Sequence, residues 1–166
     1  MKPAKSVTPA ARSANMSHIR SKDTKPEMLV RRALHRLGFR FRLHVRDLPG
    51  RPDIVLPKYA TIIQVKGCFW HGHSCREGRI PNSNRDYWEP KLLRNKARDV
   101  SNERKLRRLG WSVRTLWECQ LEALTKEGLD DIIARIFRTR VLPTNMSPVR
   151  LLQSDTLTLS NGNENE

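Results

Sequence analysis

The sequence predicts a mixed α/β domain, in which one sheet is flanked by helices. Two observations predict it: short strand-like runs bounded by turn residues recur along the chain, and amphipathic helical segments precede and follow them. The length of 166 residues suits one domain with one core. We expect a flexible basic arm over residues 1–15, the domain over 16–139, and a disordered tail rich in Pro, Ser, Thr and Asn over 140–166.

The domain is predicted to begin with a helix and a strand. Thr24 is a suitable N-cap, Pro26 lies in the first turn, and Gly38 ends an apolar stripe at helical spacing. Residues 39–46 then alternate between apolar and basic side chains, which predicts a strand with one buried and one basic face. The basic face comprises Arg40, Arg42, His44 and Arg46.

The remaining elements are predicted from the same signals. Further strands are expected at residues 53–56, 60–66 and 111–117. Residues 76–90 are polar and are predicted to be irregular. A very basic helix is predicted at residues 91–109, where Gly110 ends it, and an amphipathic helix is predicted at residues 121–137.

The charge of the chain indicates a polyanionic partner. Lys and Arg number 32 against 17 Asp and Glu, which gives a formal net charge of +15. A membrane surface is the alternative, but no apolar run approaches the roughly 20 residues that span a bilayer. The three cysteines are an odd number, and residues 1–15 lack the apolar segment of a secretory signal. We therefore expect a reducing compartment, the cytoplasm, and no disulfide framework.

Residues 68–75 concentrate side chains that bind metals. Two cysteines and two histidines lie within these eight residues, directly after a predicted strand. Thiolates and imidazoles are ligands for zinc, and a structural zinc takes four of them. Cys68, Cys75, the distant Cys119 and one histidine would complete such a site, but the spacing leaves open which histidine takes part. The alternative is a set of buried free cysteines beside a core aromatic pair.

A second cluster is predicted where the strands of a hairpin meet. Asp53 begins the first strand and Gln64-Val65-Lys66 ends the second, so an acid, an amide and a lysine lie at one end of the sheet. Carboxylate oxygens suit Mg²⁺, and a lysine stabilises negative charge during phosphodiester hydrolysis. The pattern resembles the nuclease motif Pro-Asp…(Asp/Glu)-x-Lys, with Gln64 at the second acidic position. Taken alone it favours a structural role, because each of these residues is ordinary in a turn or at a strand end.

Several motifs occur in order with short gaps between them. They are Pro49-Gly50-Arg51-Pro52-Asp53, Gly67 to Cys75, Asn95 to Asp99, Gly110-Trp111 and Trp117-Glu118-Cys119. Together they closely resemble the very short patch repair (Vsr) DNA mismatch endonuclease family, from about Arg12 to about Leu121. The resemblance implies a restriction-endonuclease-like α/β fold of the PD-(D/E)xK type. It also implies a Mg²⁺-dependent nick of one strand, 5′ of the thymine in a T:G mismatch.

The resemblance implies roles for residues that spacing alone leaves open. Asp53 matches the family's metal-binding aspartate, and Val65 would add a backbone carbonyl to the same Mg²⁺. His71 matches the catalytic histidine. Glu27 and Asp99 match acidic residues at the family's active site, although Glu27 is also placed to cap its helix and Asp99 to pair with basic neighbours on a solvated helix.

The resemblance also assigns the second histidine and the residues that enter DNA. With His71 in catalysis, the structural Zn²⁺ ligands are Cys68, His73, Cys75 and Cys119. The aromatic side chains that match a wedge into the duplex beside the mismatch are Phe69, Trp70 and Trp88. On the basic face at residues 39–46, phosphate contacts are expected from Arg40 and Arg42, with a merely solvated face as the alternative.

One segment departs from the family pattern. Where well-known members carry Phe-Thr-His before the Gly-Cys pair, this chain has Gln64-Val65-Lys66. The ammonium of Lys66 replaces an imidazole, so we expect Lys66 to be an electrostatic helper at the scissile phosphate.

The predicted function is that of a zinc-stabilised, Mg²⁺-dependent mismatch endonuclease. The expected partner is double-stranded DNA with a mismatch, bound by a monomer at the nucleoid, with downstream repair proteins acting later. A restriction-like or relaxed-specificity DNA endonuclease is one alternative, and a non-catalytic zinc-stapled DNA-binding protein is another. Binding alone needs neither Asp53 nor His71, which argues against the non-catalytic alternative.

Overall fold

A computed structural model of the chain describes residues 22–138, so the arm predicted at 1–15 and the tail predicted at 140–166 lie outside it. The helices are α1 (Lys25–Arg36), α2 (Arg85–Arg108), α3 (Glu118–Glu122) and α4 (Lys126–Arg138). The strands are β1 (Arg42–Leu43), β2 (Ile54–Leu56), β3 (Thr61–Lys66) and β4 (Ser112–Trp117). Short 3₁₀ turns occupy Pro57–Tyr59 and Arg76–Gly78. These elements confirm the predicted mixed α/β class.

The four strands form one sheet in the order β1-β2-β3-β4. β1, β2 and β3 are antiparallel neighbours, with Ile54 of β2 opposite Ile63 of β3. β4 runs parallel to β3, and its last residue, Trp117, lies opposite Lys66. Because both strands of a parallel pair end at the same edge, the loop after β3 and the helix after β4 start side by side.

Helix α1 forms where the capping residues predict it. The side-chain oxygen of Thr24 accepts the N–H of Glu27 at 3.4 Å, and Pro26 occupies the first turn, where its missing N–H costs nothing. Val30 and Leu34 lie fully buried on one face. Gly38 follows the helix with a φ of +83°, a left-handed conformation that glycine adopts without strain. The predicted first helix is therefore confirmed.

Apolar residues cover both faces of the sheet. The cluster shared with α1 and α4 includes Val30, Leu34, Ile54, Leu56, Ile63, Leu116, Leu129 and Ile133. The cluster on the other face, against α2, comprises Leu48, Val55, Ile62, Leu106, Trp111 and Val113. Since neighbouring residues of a strand point to opposite faces, Ile62 and Ile63 belong to different clusters. The same alternation places Gln64 and Lys66 on the α2 face, whereas Val65 packs against the α1/α4 cluster.

The strand predicted over residues 39–46 is much shorter in the structure. Only Arg42–Leu43 pairs with β2, because His44 has a φ of +48° and turns the chain out of the ladder. The apolar side chains do pack as the alternation predicts, since Phe39 and Phe41 contact the α1/α4 cluster. Phe39 also stacks on Phe137 with ring centroids 4.4 Å apart. The alternation was therefore a signal of burial and not of strand pairing.

The helix predictions were wrong at two boundaries. Helix α2 begins at Arg85 and not at 91, so the last six residues of the segment expected to be irregular are helical, even though Pro90 lies inside it. The helix predicted at 121–137 is divided into α3 and α4. Thr125 causes the division, because its hydroxyl accepts the N–H of Gly128 at 3.2 Å and so caps a new helix.

Helix length and composition bear on the membrane alternative. Across residues 22–138, none of the helices is long and apolar enough to cross a membrane.

Leu106 should be a main anchor of α2 on the sheet. Its side chain is fully buried in the cluster on the α2 face, so Leu106→Ala should lower the free energy of unfolding by about 2–5 kcal/mol. Leu93→Ala on the same helix is the matched control, since Leu93 is 61% exposed and should cost less than about 0.5 kcal/mol. Urea unfolding followed by circular dichroism measures both. Equal losses for the two variants would contradict the packing of α2 described above.

Candidate active site

A cleft of about 600 Å³ lies at the end of β3, between α2 and the loop that precedes β2. Its polar lining brings together Asp53, Gln64 and Lys66 of the hairpin, His71 of the segment at 68–75, and Asp99 of α2. Basic side chains surround them, contributed by Lys22, His44, Arg46, Arg51 and Arg98. The cleft thus combines two carboxylates with an excess of positive charge, which suits an anionic substrate.

Asp53 lies at the open end of the β2–β3 hairpin. Its Oδ2 accepts the backbone N–H of Val65 at 2.9 Å, which joins the first residue before β2 to the end of β3. Burial raises the pKa of Asp53, the Val65 N–H opposes that rise, and the charge of Glu27 adds to it. Within residues 22–138, Asp53 forms no ion pair with a side chain. Its half-buried carboxylate therefore lacks a cationic salt-bridge partner among these residues.

Asp99 on α2 connects two other residues of the cleft. Its Oδ2 contacts Nδ1 of His71 in a short hydrogen bond and lies 3.2 Å from Nζ of Lys66. Burial raises the pKa of Asp99, but the His71 hydrogen bond and the charges of His71 and Lys66 outweigh it and hold the pKa below its ordinary value. The alternative for Asp99 was pairing with basic neighbours on its own helix, whereas in the structure it pairs with Lys66 and His71.

Glu27 serves the helix terminus and also faces the site. It is buried, and its Oε2 accepts the N–H of Asp23 at 3.0 Å beside the α1 cap. Its Oε1 pairs with Arg31 and lies 3.3 Å from Nε2 of His44, which lines the cleft. Asp23, Glu27 and His44 bring ligand atoms within 4.8 Å of one another. Both alternatives for Glu27, helix capping and a place at the site, are thus compatible with one position.

Arg31 is a residue of this region that the sequence did not single out. It is buried, one of its terminal nitrogens lies 2.6 Å from Asp23 Oδ1, and the other lies 2.9 Å from His44 Nε2. The sequence signal that could have identified Arg31 is its place next to the apolar stripe of α1. An arginine in such a position becomes buried and then needs a specific acidic partner. Arg31 links α1 to the residue that ends β1.

Three cysteines and a histidine converge where β3 and β4 end. The ligand atoms of Cys68, His73, Cys75 and Cys119 all lie within 4.8 Å of one another. Cys119 Sγ is 3.5 Å from His73 Nδ1, and the Cys119 N–H points to Cys68 Sγ at the same distance. The ring of Trp117 stacks on His73 with centroids 4.3 Å apart. The structure thus brings His73, and not His71, to the three thiols.

The thiols differ strongly in acidity. Burial raises the pKa of the fully buried Cys68 to about 12, and the neighbouring thiols add to the rise. A hydrogen bond with His73 lowers the pKa of Cys75 to about 7. The donor set and the short separations fit a tetrahedral zinc with three sulfur ligands and one nitrogen ligand.

Hydrogen bonds and close packing hold the loop that carries His71 and His73. Asn95 of α2 donates to the Trp70 carbonyl at 3.1 Å, and Glu118 accepts the Cys68 N–H at 3.2 Å. Gly78 packs so tightly that a Cβ there would overlap the carbonyl oxygen of His73. Contacts from α2 and α3 therefore determine where the two histidines lie.

Four aromatic rings and a lysine form a partly exposed cluster around Trp70, the residue before His71 of the cleft. The predicted wedge residues meet, because Phe69 lies 5.1 Å from Trp70 and from Trp88 between ring centroids. Tyr87, which is 57% exposed, and Lys91 complete the cluster. The Lys91 ammonium lies 5.0–5.7 Å from the centroids of Tyr87, Trp88 and Trp70. The sequence analysis did not predict Tyr87 or Lys91 as members of this cluster. The two residues are neighbours only on a helix that starts at Arg85.

The predicted basic face is divided in the structure. Arg40 and Arg42 are exposed on and beside β1 and do not line the cleft. His44 and Arg46 do line it, because the left-handed residue His44 turns the chain toward Asp53.

Comparison with known proteins identifies the family. A model of the family described as DNA mismatch endonuclease Vsr matches residues 4–77. Type II nicking enzyme V.XorIIP of Xanthomonas oryzae pv. oryzae is 50% identical over 118 residues, 71% of this chain and 87% of that protein. Type II nicking enzyme V.NmeAIP of Neisseria meningitidis is 46% identical over 131 residues, 78% and 94% of the two chains. DNA mismatch endonuclease Vsr of Escherichia coli is 39% identical over 125 residues, 74% and 80%. The chain, with its cleft of carboxylates, lysine and histidine, therefore belongs to the Vsr family of DNA mismatch endonucleases and related nicking enzymes.

Proposed function

We propose that this protein is a Mg²⁺-dependent endonuclease that nicks one DNA strand 5′ of the thymine in a T:G mismatch. The observation that carries the proposal is the cleft in which Asp53 and Lys66 lie beside the His71–Asp99 pair. The Escherichia coli relative is named a DNA mismatch endonuclease, which supports the substrate class. The basic lining suits a phosphodiester backbone, which supplies most of the affinity for DNA.

Asp53 and Val65 are the groups that would hold the cation. Asp53 is a half-buried carboxylate without a cationic side-chain partner among residues 22–138, which is a position that a divalent ion would neutralise. The N–H and C=O of a strand residue point to the same side, so the Val65 carbonyl faces the edge where its N–H meets Asp53. When bound, Mg²⁺ neutralises charge on the phosphate and makes water a stronger nucleophile.

His71 is placed to accept a proton or to stabilise charge. Asp99 occupies Nδ1 of His71, which fixes the ring and leaves Nε2 for the attacking water or the phosphate. Lys66 shares Asp99 as a partner and brings a positive charge into the cleft. Glu27 would act nearby through its charge on Asp53.

A structural zinc is proposed at Cys68, His73, Cys75 and Cys119, whose separations support it. This site would tie the loop after β3 to the start of α3. The zinc site and the Pro-Asp…Gln-x-Lys residues also support a restriction-endonuclease-like fold of the PD-(D/E)xK type. The division into an arm at 1–15, a domain at 16–139 and a tail at 140–166 remains a proposal.

The surroundings of the enzyme are proposed on the same basis. The proposed DNA substrate and the net positive charge of the chain support a location in the cytoplasm, at the nucleoid. We also propose that the enzyme is a monomer and that downstream repair proteins act on the nicked DNA.

A nicking enzyme of relaxed or restriction-like specificity is the second candidate. Its specific support is that the relatives from Xanthomonas oryzae and Neisseria meningitidis are named type II nicking enzymes. Gln64 and Lys66 replace the Phe and His of well-known family members. They would therefore change the groups nearest the scissile phosphate, where a change in sequence preference would arise. Strand-specific nicking of duplexes carrying T:G, other mismatches or T:A in several contexts separates the two candidates.

Cys119→Ser should abolish stoichiometric zinc and lower the unfolding temperature. The binding free energy of a structural zinc is folding free energy, so loss of one ligand weakens the fold as well as the site. Elemental analysis and thermal unfolding measure the two effects. Ser74→Ala, an exposed position in the same loop, is the control and should keep both. Wild-type protein purified without chelator that contains no stoichiometric zinc would refute this site.

Asp53→Ala and His71→Ala should abolish detectable nicking while zinc content and DNA affinity remain. Lys66→His should retain measurable activity, and Lys66→Ala should lose on the order of 10²–10³ in rate, because one stabilising donor is removed. Single-turnover nicking with Mg²⁺ measures the rates. Asp130→Asn, a carboxylate that pairs with Arg36 away from the cleft, is the control. Full activity of Asp53→Ala would overturn the catalytic assignment.

Trp70→Ala should reduce discrimination of T:G over T:A more than it reduces affinity for matched DNA. Inserting rings between base pairs costs a few kcal/mol, and a mismatch lowers that cost, so the wedge itself selects mispairs. Affinities for the two duplexes at one fixed salt concentration measure the effect. An equal fall for both duplexes would count against a wedge made by Phe69, Trp70 and Trp88.

A further inference from the structure

Gln64 ends in a buried oxygen that lacks a partner. In the part of the chain that the structure describes, its Oε1 is inaccessible to solvent and accepts no hydrogen bond. Buried polar atoms are nearly always paired, and an unpaired one calls for an unseen water or ion. Gln64 also lines the cleft that holds Asp53 and Lys66.

The strand register places this oxygen beside the acidic ligand. Ile54 lies opposite Ile63 in the antiparallel pair, so continuing the register by one residue sets Asp53 opposite Gln64. Directly opposite residues of such a pair project to the same face, with Cβ atoms roughly 4.5–5.5 Å apart. Val65, the next residue of β3, donates its N–H to Asp53. Three oxygen donors, two from side chains and one from the backbone, therefore converge at one end of the hairpin.

We propose that Gln64 Oε1 is a further oxygen ligand of the divalent cation, beside the Asp53 carboxylate and the Val65 carbonyl. The inference rests on the metal site of the proposed function. Amide oxygens are hard, neutral donors of the kind that Mg²⁺, Mn²⁺ and Ca²⁺ accept. Because Gln64 Oε1 is inaccessible to solvent, a small ion can reach it but the edge of a DNA base cannot. A hydrogen bond from Gln64 Oε1 to a base is therefore excluded as its role.

The proposal explains how Pro-Asp…Gln-x-Lys works as a metal motif in this chain. Glutamine at the second position keeps the oxygen and loses the negative charge of the Asp or Glu in that motif. With one carboxylate in place of two, the site should bind divalent cations more weakly than a two-carboxylate site. Lys66 does not occupy Oε1, because its ammonium pairs with Asp99 at 3.2 Å on α2.

Mn²⁺ binding tests the ligand role without relying on nicking. The unbound Mn²⁺ signal in electron paramagnetic resonance is followed through titrations into the millimolar range, with full-length, zinc-loaded protein and no DNA. Gln64→Glu should tighten Mn²⁺ binding on the order of tenfold, because it adds a charge next to a divalent ion. Gln64→Met, of similar length and without the oxygen, should weaken binding on the order of tenfold.

Two further variants make the result specific. Thr115→Val is the control for packing, since Thr115 is the neighbour of Gln64 on β4 and should leave Mn²⁺ binding unchanged. Asp53→Asn is the reference for the site and should abolish binding. Circular dichroism and zinc content establish that every variant is folded.

The possible failures are distinguishable. If Asp53→Asn loses Mn²⁺ while both Gln64 variants bind it like the wild type, the Gln64 inference is wrong and the proposed metal site stands. If Asp53→Asn binds Mn²⁺ like the wild type, or the wild type binds none, the metal site itself is wrong and the inference falls with it. Opposite shifts for Gln64→Glu and Gln64→Met support the inference.

Discussion

The parallel pairing of β3 with β4 is the constraint on which the site depends. Its register sets Lys66 opposite Trp117, so the two strands end together and the chain leaves both at one edge. Cys68 and Cys119, 51 residues apart, meet there. The same register brings Glu118 to the backbone of Cys68. A slip of one residue would turn every side chain to the other face of the sheet and separate both pairs.

Helix α2 provides the second half of the site by lying across the face that Gln64 and Lys66 share. Leu106 anchors it in the apolar cluster, and Asp99, two turns earlier, reaches the cleft. Asn95, one turn before Asp99, holds the Trp70 carbonyl. A single helix therefore positions both the loop after β3 and the carboxylate that contacts His71, so the geometry of the cleft depends on its packing against the sheet.

Capping residues and the spacing of apolar residues predicted the presence of the helices and strands better than their boundaries. The Thr24 cap and the Gly38 end of α1 were predictable because the side-chain and glycine chemistry lies within the helix itself. The strand at 39–46 was not, because the left-handed His44 depends on contacts with Glu27 and Arg31 of another element. The start of α2 was missed because Pro90 signals a break that the packing overrides.

For the site, the sequence indicated candidate residues, and the fold shows which of them lie next to one another. The choice between His71 and His73 needed a family resemblance, since both lie in one loop and only the fold brings His73 to Cys119. Tyr87 and Lys91 were missed with the start of their helix. Arg31 was missed because two of its partners, Asp23 and Glu27, lie at the start of α1, and the third, His44, reaches it only through the turn after β1.

The three acids of the cleft region differ in what neutralises them, and that difference indicates their roles. Asp99 is paired with Lys66 and His71, and its pKa stays below the ordinary value despite burial. Glu27 is paired with Arg31. Burial raises the pKa of Asp53, whose strongest partner is a backbone N–H. In a cleft rich in arginine and lysine, Asp53 pairs with none of these side chains within residues 22–138. This is the arrangement that the proposed divalent cation requires.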